Sequence, residues 1–173
     1  NDQTTTNMMS KGTVYRFDGV DDTIIAGDAQ DITTGDFAIH VKFAKENITD
    51  ANAFIVNKEA SGVGYGLEVR TNDLWIRLDD GTVDVSAIIG TNVFSAGVEY
   101  DVFVTFDRSG NATAYVNGVS VGTVAISTAG LTLTSAGVFT IGSETGATTK
   151  AFGGEIGLVE LFNFLPTDSE VKA

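Results

Sequence analysis

Three groups of residues have types and spacings that could do chemistry. Asp18, Asp21 and Asp22 fall within one turn of chain. Hard cations take several oxygens, often from neighbouring aspartates and backbone carbonyls, so this cluster is a candidate calcium site. The competing reading is an Asx-type turn, in which the carboxylates satisfy their own backbone. Trp75 is the only tryptophan, and an exposed indole can stack on the apolar face of a sugar. His40 is the only histidine. A nucleophilic triad needs three converging groups, and no Ser or Asp constellation accompanies His40 on its strand, so it reads as structural. With no cysteine in the chain, thiolate nucleophiles, disulfides and Cys-based zinc sites are excluded. No glycine-rich phosphate cradle precedes a helix.

Strands must position these residues. Phe37, Ile39, Val41 and Phe43 alternate with Ala38, His40 and Lys42, and Tyr100, Val102, Val104 and Phe106 repeat the period. Side chains two apart share a face, so each run is a half-buried strand, with His40 on the outer side. A hairpin tip at Asn72-Asp73 pairs Val69 with Ile76 and Leu67 with Leu78. It sets Arg70 against Trp75 and Glu68 against Arg77 on the opposite face. A second tip at Asp80-Gly81 pairs Leu78 with Val83, Ile76 with Val85 and Leu74 with Ala87. That places Arg77 beside Asp84, and Trp75 beside Ser86. Both tips give the same buried face, and a one-residue slip would destroy the agreement. Trp75 is thereby expected on the outer face, with Arg70, Arg77, Glu68, Asp84 and Ser86 as polar company. The alternative is a cation–π pair of Trp75 with Arg70 that only stabilises the sheet. Asp79, Asp80 and Asp84 read as turn and cross-strand residues. Asn117-Gly118 marks a third hairpin, pairing Val116 with Val119 and Ala114 with Val121. Phe103 and Tyr115 form a further outer pair, expected to be covered by other strands.

Helical period is absent except at the C-terminus, where Thr167 and Glu170 have capping-box spacing before a single turn. Residues 126–137 read as loop or short edge strand, and residues 1–12 as a linker or N-terminal arm preceding one domain over 13–173. The chain starts at Asn1, and reads as a fragment or a processed product without a signal peptide. The 173 residues, with 20 Gly and one Pro, suit one domain of short strands and tight turns. A net charge of −13 repels phosphate backbones and anionic lipid, which argues against nucleic acid as a partner. No apolar run approaches the roughly 20 residues of a bilayer span. Asn47-Ile48-Thr49 and Asn111-Ala112-Thr113 match the N-glycosylation pattern, which carries little weight by itself.

The ordered segments Tyr15-Arg16-Phe17-Asp18-Gly19, Gly35-Asp36-Phe37, Ile55-Val56-Asn57-Lys58, Tyr100-Asp101-Val102-Phe103, Ala114-Tyr115-Val116-Asn117-Gly118, Phe139-Thr140-Ile141-Gly142 and Phe152-Gly153-Gly154-Glu155-Ile156 resemble the laminin-G-like, concanavalin-A-like jelly roll. That fold occurs in bacterial secreted proteins and in phage tail and capsid-surface proteins. The resemblance covers nearly everything after Gly12. It implies an all-β antiparallel sandwich of two sheets, and a structural calcium near the first and last strands. The last strand departs from the family's Gly-x-Ile-Asp pattern, since Gly157 stands at the Asp position. Glycoside hydrolases of related fold carry Glu-x-Asp-x-x-Glu on one strand, and retaining chemistry needs two carboxyls about 5 Å apart. Here Glu155-Ile156-Gly157-Leu158-Val159-Glu160 lacks the assisting Asp, and the strand reads as a closing one with Ile156 and Leu158 in the core.

The expected function is therefore non-catalytic: an adhesion module recognising carbohydrate on a cell or virion surface. The alternative is a structural virion domain, a capsid decoration or fibre component in a symmetric assembly, without a small ligand. A glycosidase is the remote third reading. Calcium is the one cofactor implied, and the location is extracellular or on a virion surface, within a larger chain or assembly.

Overall fold

The computed structural model describes residues 4–7, 12–47, 52–144 and 150–172. In chain order its strands are β1 (Thr5–Asn7), β2 (Tyr15–Asp18), β3 (Ile24–Ile25), β4 (Phe37–Lys45), β5 (Ala53–Ala60), β6 (Val63–Arg70), β7 (Asp73–Asp80), β8 (Asp84–Gly90), β9 (Glu99–Phe106), β10 (Asn111–Val116), β11 (Val119–Ala125), β12 (Thr140–Ile141) and β13 (Gly153–Phe162), followed by a one-turn helix α1 (Asp168–Val171). Two antiparallel sheets result. The first runs β1-β13-β4-β9-β10-β11, with β2 also on β13, and the second β3-β12-β5-β6-β7-β8. The N-terminal stretch read as a linker contributes β1, which pairs Thr6 with Leu161 on β13.

Alternation decides what enters the core. Phe37, Ile39, Val41 and Phe43 are 1% exposed or less, as are Val102, Val104 and Phe106, and they meet Leu67, Val69, Leu74, Ile76 and Leu78 from the second sheet. Phe37 and Phe106 stack at 4.2 Å between ring centres. Two buried cations fasten the connecting loops to this sandwich. Lys58 Nζ lies 2.9 Å from Asp28, 3.3 Å from Asp31 and 2.7 Å from the Gly137 carbonyl. Arg108 donates to the carbonyls of Thr33, Ala129 and Leu131. Residues 126–137 form a loop without strand, pinned by these bonds and by buried Ile126, Ala129 and Leu133.

The hairpin registers differ from the sequence expectation by two residues, which preserves every face; only at Leu74 does a bulge make it three, setting Leu74 against Gly90 instead of Ala87. The first turn is Thr71-Asn72, so Val69 pairs with Leu74, Glu68 with Trp75 and Arg70 with Asp73. Thr71 takes φ +56°. Asp73 is drawn into the strand because its carboxylate accepts from the Asn92 N–H at 2.7 Å, while the Asn72 carbonyl accepts from Val93. The next turn is wider than the Asp80-Gly81 tip expected. Asp80 accepts from Val83 N, Thr82 N and Thr82 Oγ1, so Leu78 pairs with Val85 and Ile76 with Ala87. Burial works against the Asp80 charge, but these bonds and one from Leu131 outweigh it and hold its carboxyl well below the usual range. Asn117-Gly118 does form the third tip, both residues at positive φ as such turns require. Val116 meets Val119, but a bulge then sets Ala114 against Gly122 instead of Val121.

Candidate functional site

The outer face of the second sheet carries the residues expected to bind. Trp75 does point outward, but it is half-buried. The Arg70 guanidinium lies 3.9 Å from its ring centre, and its Nε1 is buried without a hydrogen-bond partner. Arg70 is held from below by Glu68, whose carboxylate accepts from Nε at 2.8 Å and from Nη2 at 3.1 Å. Glu68 itself is 1% exposed. Ser86 Oγ accepts from Arg70 at 3.3 Å. Arg77 sits directly across from Ser86, not Asp84, yet still reaches Asp84 diagonally at 3.6 Å and Glu59 at 3.0 Å. Burial pushes the Glu59 carboxyl up, against the pull of Arg77. Beside this network Asn57 is fully buried, and neither its Oδ1 nor its Nδ2 has a partner. The face is a set of internal ion pairs roofing an indole, the arrangement weighed as the stabilising alternative above.

Asp18, Asp21 and Asp22 bring carboxylate oxygens within 4.8 Å of one another. The same carboxylates close the turn. Asp18 Oδ1 accepts from Val20 N at 2.8 Å, and Asp22 Oδ2 accepts from Asp18 N at 2.9 Å. Charge and spacing fit a hard cation, while the turn's own bonds also account for the residue types. The carboxylates of Asp79 and Asp80 serve their turn, as expected. Asn111 is exposed at the start of β10; Ile48 and Thr49 of the other glycosylation pattern lie outside the described residues.

A second constellation lies on the outer face of the first sheet. Because β4 lies between β13 and β9, His40 has Glu160 directly across on one side and Phe103 on the other. Glu160 Oε2 lies 3.0 Å from His40 Nδ1, and Asp101 Oδ1 lies 2.7 Å from Nε2. His40 thus has carboxylate partners on both sides, contrary to the expectation of no constellation. A neutral ring donates from one nitrogen only, whereas the imidazolium donates to both carboxylates. Lys42 Nζ holds the other Asp101 oxygen at 2.9 Å. Burial opposes the Asp101 charge, but Lys42 and His40 outweigh it and lower its pKa. Phe103 stacks under the imidazole at 4.9 Å and meets Phe162 at 5.3 Å. Phe164 stands edge-on to Phe162.

These groups floor a cleft of about 340 Å³, walled by Phe164, Pro166, Glu170 and Val171 from the C-terminal segment. The segment is set by local chemistry. Glu170 Oε2 returns to the Thr167 N–H at 2.7 Å, and Val171 packs on Ala38 and Phe103. Phe103 is therefore covered by the C-terminal turn, not by further strands as expected.

A family model described as the concanavalin A-like lectin/glucanases superfamily matches residues 18–172. The chain belongs to that superfamily. No curated protein matches it in sequence. Among solved structures it is similar to the binding domain of Paraclostridial Mosquitocidal Protein 1, with TM-score 0.77 and 14% identity over 99% of this chain and 46% of that one. A heptameric SAP-like pentraxin from Limulus polyphemus gives TM-score 0.71 and 14% identity over 92% of this chain and 79% of that one. The botulinum neurotoxin serotype D ligand binding domain, solved with N-acetylneuraminic acid, gives 0.72 and 13% identity over 99% and 45%. The chain spans a little under half of these toxin domains. At such identities the likeness establishes the fold alone.

Within the superfamily frame, the closing strand explains itself. Ile156 pairs with Phe43 and Leu158 with Lys42, so one extra residue, Gly157, makes a bulge. Beyond it Val159 and Leu161 turn inward, whereas Leu158, expected in the core, is half-exposed. Glu155 and Glu160 both face outward, but they do not converge: Glu155 lines a separate shallow depression with Arg16 and Glu46. Sequence reasoning missed Asp101, Glu160, Phe162 and Phe164 as site residues. The one available signal was the outward parity of His40 and Phe103; nothing local says that β13 and β9 flank β4.

Proposed function

We propose that this superfamily member is a non-catalytic binding module that takes carbohydrate in the cleft over His40. The observation that carries the reading is the pairing of ring faces with open carboxylate oxygens. Phe162 and Phe164 offer apolar surface for a sugar's C–H face, while Glu160 and Glu170 offer acceptors for its hydroxyls. Catalysis has no support in the geometry, because Asp101 and Glu160 converge on the imidazole and not on open space. Exposure to extracellular or virion-surface glycans follows from the same reading.

A second reading keeps the ligand at Trp75, with Arg70, Arg77, Glu68, Asp84 and Ser86. Unpartnered buried atoms of Asn57, Trp75 and Arg77 favour it, because orphaned polar groups call for a partner. A glycan array separates the two, run with the wild type, Phe162→Ala and Trp75→Ala, each with and without calcium. The cleft reading expects Phe162→Ala to lose at least tenfold in affinity and Trp75→Ala to stay within about twofold; an aromatic contact is worth on the order of 1 kcal/mol beyond its area. The reverse pattern would move the ligand to the second sheet. A blank array under every condition would leave a structural virion domain as the better account. Calcium at Asp18, Asp21 and Asp22 belongs to this proposal as a structural ion of the β2–β3 turn, remote in role from the sugar.

A further inference from the structure

Resting on the carbohydrate reading, we infer that the cleft selects a sugar bearing a free ammonium, an unacetylated amino sugar, over neutral and anionic ones. Among the described residues, its lining contributes Asp101, Glu160 and Glu170 and no lysine or arginine. Its donors are already committed. Both His40 nitrogens face carboxylates, and Lys42, outside the lining, is held on Asp101. What remains toward a ligand is acceptor-only: the second oxygens of Glu160 and of Glu170, whose Oε2 is taken by Thr167. Neutral hydroxyls can donate to such oxygens, but an ammonium donates up to three charge-assisted bonds, which are roughly twice as strong.

The ring faces add to the preference, since an aromatic quadrupole attracts a cation placed over it. The chain builds this recognition for itself at the edge of the same surface. Lys172 Nζ sits 3.1 Å from Asp168 Oδ2 and 5.8 Å from the centre of the Tyr115 ring, and Tyr115 lies directly across from Phe103. An ammonium between a carboxylate and a ring is thus already realised on this face by a residue of the chain. A sugar carboxylate would meet the opposite: like charges nearby, no free donor, and a protein of net charge −13.

Calorimetric titration of the whole chain with four tetrasaccharides tests this: the β-1,4 glucosamine oligomer, its N-acetylated form, the neutral glucose oligomer and an oligogalacturonate. The glucosamine oligomer should bind at least tenfold tighter than its N-acetylated form, and the galacturonate not measurably. The advantage should shrink in Glu160→Gln, which keeps an acceptor for His40, and in Glu170→Gln, on the exposed terminal turn. Added salt should weaken it too. Equal affinity for charged and neutral oligomers would overturn the inference and leave the carbohydrate reading standing. Binding of the glucosamine oligomer that survives Phe162→Ala, Glu160→Gln and Glu170→Gln unchanged would overturn it as well, assigning the attraction to overall charge. If no oligomer binds, the carbohydrate reading falls and this inference falls with it.

Discussion

The two outer faces of the sandwich hold similar residues in opposite states of use. On the second sheet the charges are spent on one another. Glu68 grips Arg70, Arg70 roofs Trp75, and Arg77 is shared between Glu59 and Asp84. On the first sheet two carboxylates grip one imidazole from opposite sides, and an open cleft walled by Phe162 and Phe164 remains above it. A polar, aromatic surface is therefore not the same thing as an available one. What separates them is whether the partners of each group already lie within the chain.

The sharpest way to break this contrast is Arg70→Ala. It strands the buried Glu68 carboxylate, and should cost about 3 kcal/mol, in the range for removing one partner of a buried pair. Lys42→Ala, whose ion pair on the first sheet is nearly half exposed on both sides, should cost well under about 1 kcal/mol. Chemical denaturation measures both, and equal losses would erase the distinction. Asn57→Leu comes next. Replacing an amide with both polar atoms buried and unpartnered by an apolar group should raise stability by about 1–2 kcal/mol. A loss instead would mean that ordered water or a ligand completes Asn57.

Acid should then split the faces. The folded-state pKa of Glu59 is raised above its ordinary 4.5. Its ionised form is therefore a penalty at neutral pH, relieved as pH falls through the raised value toward 4.5. Asp101 is the reverse case, lowered below 3.8. It contributes stability above that value, and the contribution is lost as pH falls from there through the lower folded-state pKa. Melting curves across this range should lose the upper, stabilising step in Glu59→Gln and soften the lower, destabilising one in Asp101→Asn. The smallest effect expected is calcium at Asp18, Asp21 and Asp22. Saturating calcium should raise Tm by a few degrees in the wild type and not in Asp21→Asn/Asp22→Asn, by the linkage of binding to folding. An unchanged Tm would leave the cluster as an Asx turn alone.

Much of the sandwich was legible in the residues. Alternation in Phe37–Phe43 and Tyr100–Phe106 told inside from outside, and Asn117-Gly118 marked its turn. The two meander registers slipped by two residues because their tips are chosen by distant partners, Asn92 for Asp73 and Leu131 for Asp80. Trp75 was rightly set on the outer face, but pattern alone does not say that a guanidinium lies on it. The cleft was not legible as a unit. His40, Asp101, Phe103, Glu160 and Phe162 meet only because the closing strand and a mid-chain strand flank β4, a matter of topology that short-range spacing does not encode.

The bulge at Gly157 has a consequence for how such a surface tolerates change. The two halves of β13 run out of phase, so the chain counts in twos up to Ile156 and starts again at Leu158. Because Gly157 is the unpaired extra residue, removing it would leave Ile156 on Phe43 and Leu158 on Lys42, with Val159 still inward and Glu160 still opposite His40. The closing strand can thus gain or lose one residue at this point without moving Glu160 away from His40.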